Sequence, residues 1–220
     1  MPTPLETNAG GTPLRWNDPA NITIALEQSD YAGDLPLFSS SLTGQEATLL
    51  VAATHIWESV ANVTFSFVPD DQGNVADIRV GLAEFGTHPT TMQFIGYTYY
   101  HWGVGTNEFL PDTLVAVEDP FEKAVTPLAD GDLSYDGTAS TMLQVMLHEL
   151  GHALGLDHNP DDPSSIMYPT STTSNPVPDA QDIAAIRSLY GAPAKPLILS
   201  ATDSDTLHGL LSGTSLANLA

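Results

Sequence analysis

A chain of 220 residues with 42% hydrophobic side chains has the apolar content for one ordinary core, which excludes a disordered composition. Its 27 acidic residues against 5 basic ones give a formal net charge of −22, which argues against nucleic acid or an anionic membrane surface as partner, because both need clustered cations. Cysteine is absent, so disulfides, thiolate nucleophiles and zinc–thiolate sites are excluded within this sequence.

No run of about 18 apolar residues occurs, and no membrane insertion is expected. The stretch Met1 to Thr7 has neither a basic region nor an apolar one, so it does not read as a secretory signal peptide. Residues 1–13, rich in Pro, Gly, Thr and Asn, read as a flexible leader or short pro-segment. Ordered structure is expected from Trp16. Ile22 to Leu26 alternates as a strand, and residues 27–42 read as a loop.

Thr43 and Glu46 have capping-box spacing, and Ala47, Leu50, Val51, Thr54 and Trp57 follow at helical intervals to about Val60. His55, alone on that helix, reads as a surface residue rather than a ligand. Strands are predicted at Val63–Val68, Ala76–Leu82, Ile95–His101 and Thr113–Glu118. Residues 119–139 read as a long acidic loop. Thr141 and Gln144 form a second capping box, opening a helix that is apolar on most sides. Asp179 caps a last helix, Ala180–Tyr190, which Gly191 ends.

The second helix carries His148-Glu149-Leu150-Gly151-His152-Ala153-Leu154-Gly155-Leu156-Asp157-His158, which reads H-E-x-x-H-x-x-G-x-x-H. Histidines four apart leave one helical face a turn apart and can share one Zn²⁺, at about 2.0–2.1 Å from each nitrogen. Glu149 lies beside them and can act as general base without being a ligand. Gly155 permits a sharp turn that can bring His158 round as third ligand. Three histidines leave a fourth position open, as in catalytic rather than structural zinc sites. A buried helix carrying His, Glu and His is costly unless those groups find partners, which itself favours a functional site. A second motif follows at Ser165-Ile166-Met167-Tyr168-Pro169.

With both motifs, the chain from about Trp16 to Gly191 resembles the metzincin zinc metalloproteases, most closely matrixins and serralysins. The resemblance implies an α+β fold: a twisted, mostly parallel sheet with an antiparallel edge strand, two long helices and a C-terminal helix. It divides the chain into the leader 1–13, a catalytic domain 14–192, and a tail 193–220 that is either an export signal or the remnant of a longer region. Met167 matches the methionine beneath the zinc. The short link from His158 to Met167 and the sequence Met167-Tyr168-Pro169 are matrixin-like. Pro169 stands where serralysins and astacins place a tyrosine ligand, so Tyr168 is expected near the specificity pocket. Ser134 stands where a matrixin structural-zinc histidine is expected, and no second zinc of that type is anticipated. The absence of cysteine, the N-terminus without a signal and the acidic charge resemble serralysins, which are exported bacterial proteases.

The implied function is a secreted, extracellular zinc endopeptidase of bacterial origin, monomeric, acting on polypeptides, with Glu149 as proton carrier. Substrate is expected to lie extended along Ile95–His101, with Tyr97, Tyr99, Tyr100, His101 and Trp102 as candidate cleft residues; ordinary aromatic packing is the competing reading. Calcium is a second candidate cofactor at Asp70-Asp71-Asn74, Asp130-Asp132-Asp136 and Asp203-Asp205, where a solvated loop is the plainer alternative. The rival functions are a processing protease of narrow specificity and a non-catalytic secreted metal-binding protein. A zinc hydrolase with a glutamate third ligand is disfavoured by His158.

Overall fold

The computed structural model describes residues 2–26, 38–69, 75–85 and 95–194. The expected turn at 69–74, apart from Pro69, and the tail beyond 194 lie outside them.

Alternating and β-branched runs build the main sheet. Strand β1 (Ile22–Leu26) pairs in parallel with β3 (Phe65–Phe67) on one side and with β4 (Ile78–Ala83) on the other. Strand β6 (Thr113–Glu118) continues the sheet in parallel from β4. Strand β5 (Gly96–Tyr99) closes it, antiparallel to β6. The order β3-β1-β4-β6-β5 is the mostly parallel sheet with an antiparallel edge that the resemblance implies. Residues Thr113 to Glu118 are buried throughout, as expected of a parallel strand covered on both faces.

Two helices cover one face. Helix α1 (Gly44–Val60) starts at the Thr43/Glu46 capping box, and α2 (Met142–Ala153) starts at the Thr141/Gln144 box. They pack together around Trp57, whose indole N–H donates to the Leu147 carbonyl at 3.2 Å. Ile24, Val80, Val115, Leu50, Met146 and Leu150 fill the layer between sheet and helices. The opposite face carries a smaller cluster of Phe38, Ala83, Leu114 and Ala116. Gly81 makes room for it, since a Cβ there would meet the Phe38 ring at 2.6 Å. Helix α3 (Ala180–Tyr190) is capped by Asp179 and ended by Gly191 at φ +82°.

Two expectations are corrected. Within 27–42, Phe38–Ser40 is a strand, β2, antiparallel to β4. It is too short for an alternating pattern to show in sequence. The acidic stretch 119–139 is not a plain loop, because β7 (Val125–Pro127) and β8 (Leu133–Tyr135) pair as a two-stranded ribbon. Buried Leu133 and Tyr135 flank half-buried Ser134, and the Tyr135 hydroxyl donates to the Glu118 carbonyl at 2.9 Å.

Residues 2–13 are bonded to the body of the fold. Leu5 bridges Leu156, the Glu6 N–H donates to the Gly155 carbonyl at 2.9 Å, and the Asp157 N–H donates to the Pro4 carbonyl at 3.0 Å. A tight return follows, with the Asn8 N–H on the Thr12 carbonyl at 2.9 Å and the Leu14 N–H on the Glu6 carbonyl at 2.8 Å. Thr3 is buried and donates its hydroxyl to Asp182 at 2.5 Å. This strap is held by main-chain and side-chain polar bonds rather than by an apolar face, so no hydrophobic periodicity announces it.

Candidate metal centre and active site

Helix α2 presents His148 and His152 from one face. The chain then turns at Gly155, whose φ is +99° and where a Cβ would meet the Leu14 carbonyl oxygen at 2.5 Å. The turn is closed by the Gly155 N–H on the His152 carbonyl and the Leu156 N–H on the Gly151 carbonyl, both at 2.9 Å. His158 follows and swings back towards the helix.

The three Nε2 atoms converge: His148 to His152 is 3.2 Å, His148 to His158 is 3.2 Å, and His152 to His158 is 3.3 Å. Nitrogens about 2.0–2.1 Å from a common tetrahedral ion stand roughly 3.3–3.4 Å apart, so the cluster has the size of a zinc site. Among the described residues, this is the group of three or more His, Cys, Asp or Glu side chains that meets at one point. The ring tautomers agree with that reading. His148 Nδ1 lies 2.7 Å from the Ile166 carbonyl and His152 Nδ1 lies 2.8 Å from the Leu156 carbonyl. A carbonyl only accepts, so both Nδ1 atoms carry the hydrogen and both Nε2 lone pairs face inward.

Electrostatics keeps His148 neutral: burial, then neighbouring His152, push its pKa down to about 3. Burial and His152 also lower His158. For His152 burial acts downward too, but the carboxylates of Glu6 and Glu149 and the Leu156 carbonyl outweigh it and hold the ring above its ordinary value.

Glu149 is buried beside the triad, and burial pushes its carboxyl up. The Thr98 hydroxyl stands 2.7 Å from Oε2 and 3.0 Å from the Glu149 main-chain oxygen. Gly96 lies against the same side chain, and a Cβ there would be 2.8 Å from both Glu149 Cγ and Val145 Cγ1. The pleat thus turns Gly96 and Thr98 towards α2, and it turns Tyr97 and Tyr99 to the other face, where both are exposed. Tyr100 packs edge-on against Phe109 at 5.2 Å and near Trp102 at 6.2 Å, so its ring is part of an aromatic cluster. His101 stands 6.3 Å from the Tyr99 ring. His55 is exposed on α1.

Met167 is fully buried and lies against Gly151 of α2, where a Cβ would come 2.5 Å from its sulfur. Asp182 holds this segment: it accepts from the Ser165 hydroxyl at 2.5 Å and from the Ile166 N–H at 2.8 Å. Tyr168 follows, half-buried, its N–H on the Ser165 carbonyl at 3.0 Å. Asp132, offered in sequence as a cation ligand, instead accepts from the Leu133 N–H at 2.7 Å and the Leu143 N–H at 3.1 Å. Asp136 accepts from the Thr126 hydroxyl at 2.8 Å. The candidate calcium residues at 70–74 and 203–205 lie outside the described residues.

Gly96, Thr98 and Glu6 were missed in sequence. A small residue on an edge strand was the one available signal for Gly96, because it permits close approach of a helix.

Residues 16–191 match the family model described as Matrixin. Macrophage metalloelastase of Rattus norvegicus is 35% identical over 146 residues, 65% of this chain and 28% of that protein. Matrix metalloproteinase-C of Caenorhabditis elegans is 27% identical over 200 residues, 86% of this chain and 31% of that protein. The hatching enzyme of Paracentrotus lividus is 34% identical over 144 residues, 64% of this chain and 22% of that protein. The chain therefore spans less than a third of the length of each. The triad, Glu149 and Met167 all fall inside the stretch matched by the family model, and the chain belongs to the matrixin family.

Proposed function

We propose that the protein is a zinc-dependent endopeptidase that cleaves polypeptides outside the cell, with His148, His152 and His158 as the metal ligands and Glu149 as the proton carrier. The observation behind it is the convergence of three inward Nε2 atoms next to one buried, hydroxyl-anchored carboxylate. The family's catalytic zinc and the relatives named metalloelastase and metalloproteinase support the same reading.

Zinc held by the triad supplies Lewis-acid polarisation of the scissile carbonyl and of the attacking water. Glu149 accepts the proton of the attacking water and returns it to the leaving amine. Its burial favours the protonated form, which suits a group that must give the proton back. Thr98 fixes the rotation of the carboxylate, and Gly96 leaves it the room it occupies. Among the described residues β5 is hydrogen-bonded on one side only, to β6. Its other edge is the place for a substrate strand, bound through main-chain bonds. Met167 supports the floor under α2. The protein acts as a secreted monomer in this reading. Calcium gains no support from Asp132 or Asp136, whose carboxylates are committed to N–H and hydroxyl donors.

Glu149→Ala tests the mechanism. Removing a general base costs about 10²–10⁴-fold in rate. The variant is expected to retain one zinc by metal analysis and to lose cleavage of casein or a quenched peptide to that extent. Undiminished cleavage by the variant would falsify the assignment of Glu149.

A further inference from the structure

The strap of residues 2–13 meets the metal site at one side chain. Antiparallel pairing of Leu5 with Leu156 sets the strap against the turn that follows α2, between the second and third histidines of the triad. This pairing delivers the Glu6 carboxylate to the outer edge of His152, with Oε1 3.5 Å from Nδ1. Nδ1 already donates to the Leu156 carbonyl at 2.8 Å, so its hydrogen faces a carbonyl and a carboxylate together. Glu6 is only partly exposed. Its main chain is bonded through both the N–H, to the Gly155 carbonyl, and the carbonyl, from the Leu14 N–H.

We propose that Glu6 is a positioning residue for His152: the strap supplies a carboxylate that orients the ring and strengthens Nε2 as a donor to the metal. A negative charge on the far side of an imidazole raises the basicity of the inward nitrogen. The Leu156 carbonyl alone sets the tautomer but carries no full charge. The strap acts on a second ligand through the main chain, because its bonds to Gly155 and Asp157 brace the segment that leads to His158. The proposal rests on the reading of the triad as a zinc site.

The test compares the full chain with Glu6→Gln, Glu6→Asp and, as a control, Leu5→Ala. Zinc affinity is read by competition with a chromophoric chelator, and peptide cleavage is measured at saturating zinc. Loss of a carboxylate in this position typically weakens metal binding about 10–100-fold. Glu6→Gln is expected to weaken zinc binding by about tenfold with its folded circular dichroism unchanged, and Glu6→Asp to recover part of the loss. Leu5→Ala, which loosens the strap but keeps the charge, is expected to lower the melting temperature with a smaller effect on zinc. A Glu6→Gln protein that binds zinc within twofold of the parent overturns the proposal, as does a Leu5→Ala loss of affinity equal to that of Glu6→Gln. If the parent chain takes up no zinc at all, it is the metal reading that fails.

Discussion

Glu149 is held by groups that its own motif does not contain. Its neighbours come from β5: a hydroxyl that bonds one oxygen and a glycine that yields space to the rest of the side chain. Gly96→Ala would press a methyl into Glu149 and Val145. Overpacking of this kind costs about 1–3 kcal/mol. The expected outcome is that loss of stability in chemical denaturation, together with a fall in kcat larger than any change in KM. An unchanged kcat would mean that the carboxylate has slack the structure does not show.

Glu118 shows a second residue-scale effect, away from the triad. Its carboxyl is pushed up to about 7, first by burial, with Lys123 and the Phe85 N–H opposing and Glu122 and Asp119 adding to the rise. In an unfolded chain the same group titrates near 4.5. Between those values the folded protein binds the proton more tightly, so this contribution is complete below pH 4.5 and is lost as pH rises through 7. Glu118→Gln is expected to flatten that slope and to raise stability at pH 8 by on the order of 1 kcal/mol. Equal melting curves for parent and variant at pH 5 and pH 8 would contradict it. Sequence spacing identified the histidines and Glu149, because all four groups lie within one helix and its exit turn. Thr98 and Glu6 carry no such signal: their partners are far along the chain and meet them only through packing.

Asp182 shows how single elements are fastened to one another. It serves at once as the third residue of the α3 capping box, accepting from the Asp179 N–H at 3.0 Å, and as the anchor of Ser165, Ile166 and Thr3. Through Ile166 it reaches His148, whose Nδ1 bonds the next atom group in that same residue. Asp182→Ala leaves several buried donors without an acceptor, at about 1–3 kcal/mol for each group. The variant is expected to lose at least about 2 kcal/mol in urea unfolding and to bind zinc more weakly. A loss under about 0.5 kcal/mol would show that water replaces the carboxylate. At this scale the helices were legible, since two open on capping pairs and the third on the single cap Asp179, all displayed directly by the sequence. The sheet was legible in kind, β3 included because it lies inside the run Val63–Val68, but β2 and the β7–β8 ribbon were not. Strands β2, β7 and β8 have three residues each, below the length at which alternation can be told from chance.

In the whole molecule, the parallel sheet and the α1–α2 pair form one body, and the site lies where α2 leaves it. Binary pattern reveals that body because apolar residues build it. The strap shows no such pattern because polar bonds attach it, and these depend on what the rest of the chain places opposite. That difference has a consequence for the order of assembly. The apolar body can collapse as soon as its strands and helices exist, whereas residues 2–13 must wait for partners at 155–157 and at Asp182, near the far end of the described chain. Contacts so distant in sequence form slowly. Refolding should therefore bury the Trp57 indole before metal competence returns, so that recovery of chelator-resistant zinc lags behind the tryptophan fluorescence change. Coincident traces would mean that strap and body fold as one cooperative unit. A lag would make residues 2–13 the last piece to be set in place, and the metal site would be finished by a segment far in sequence from the histidines it braces.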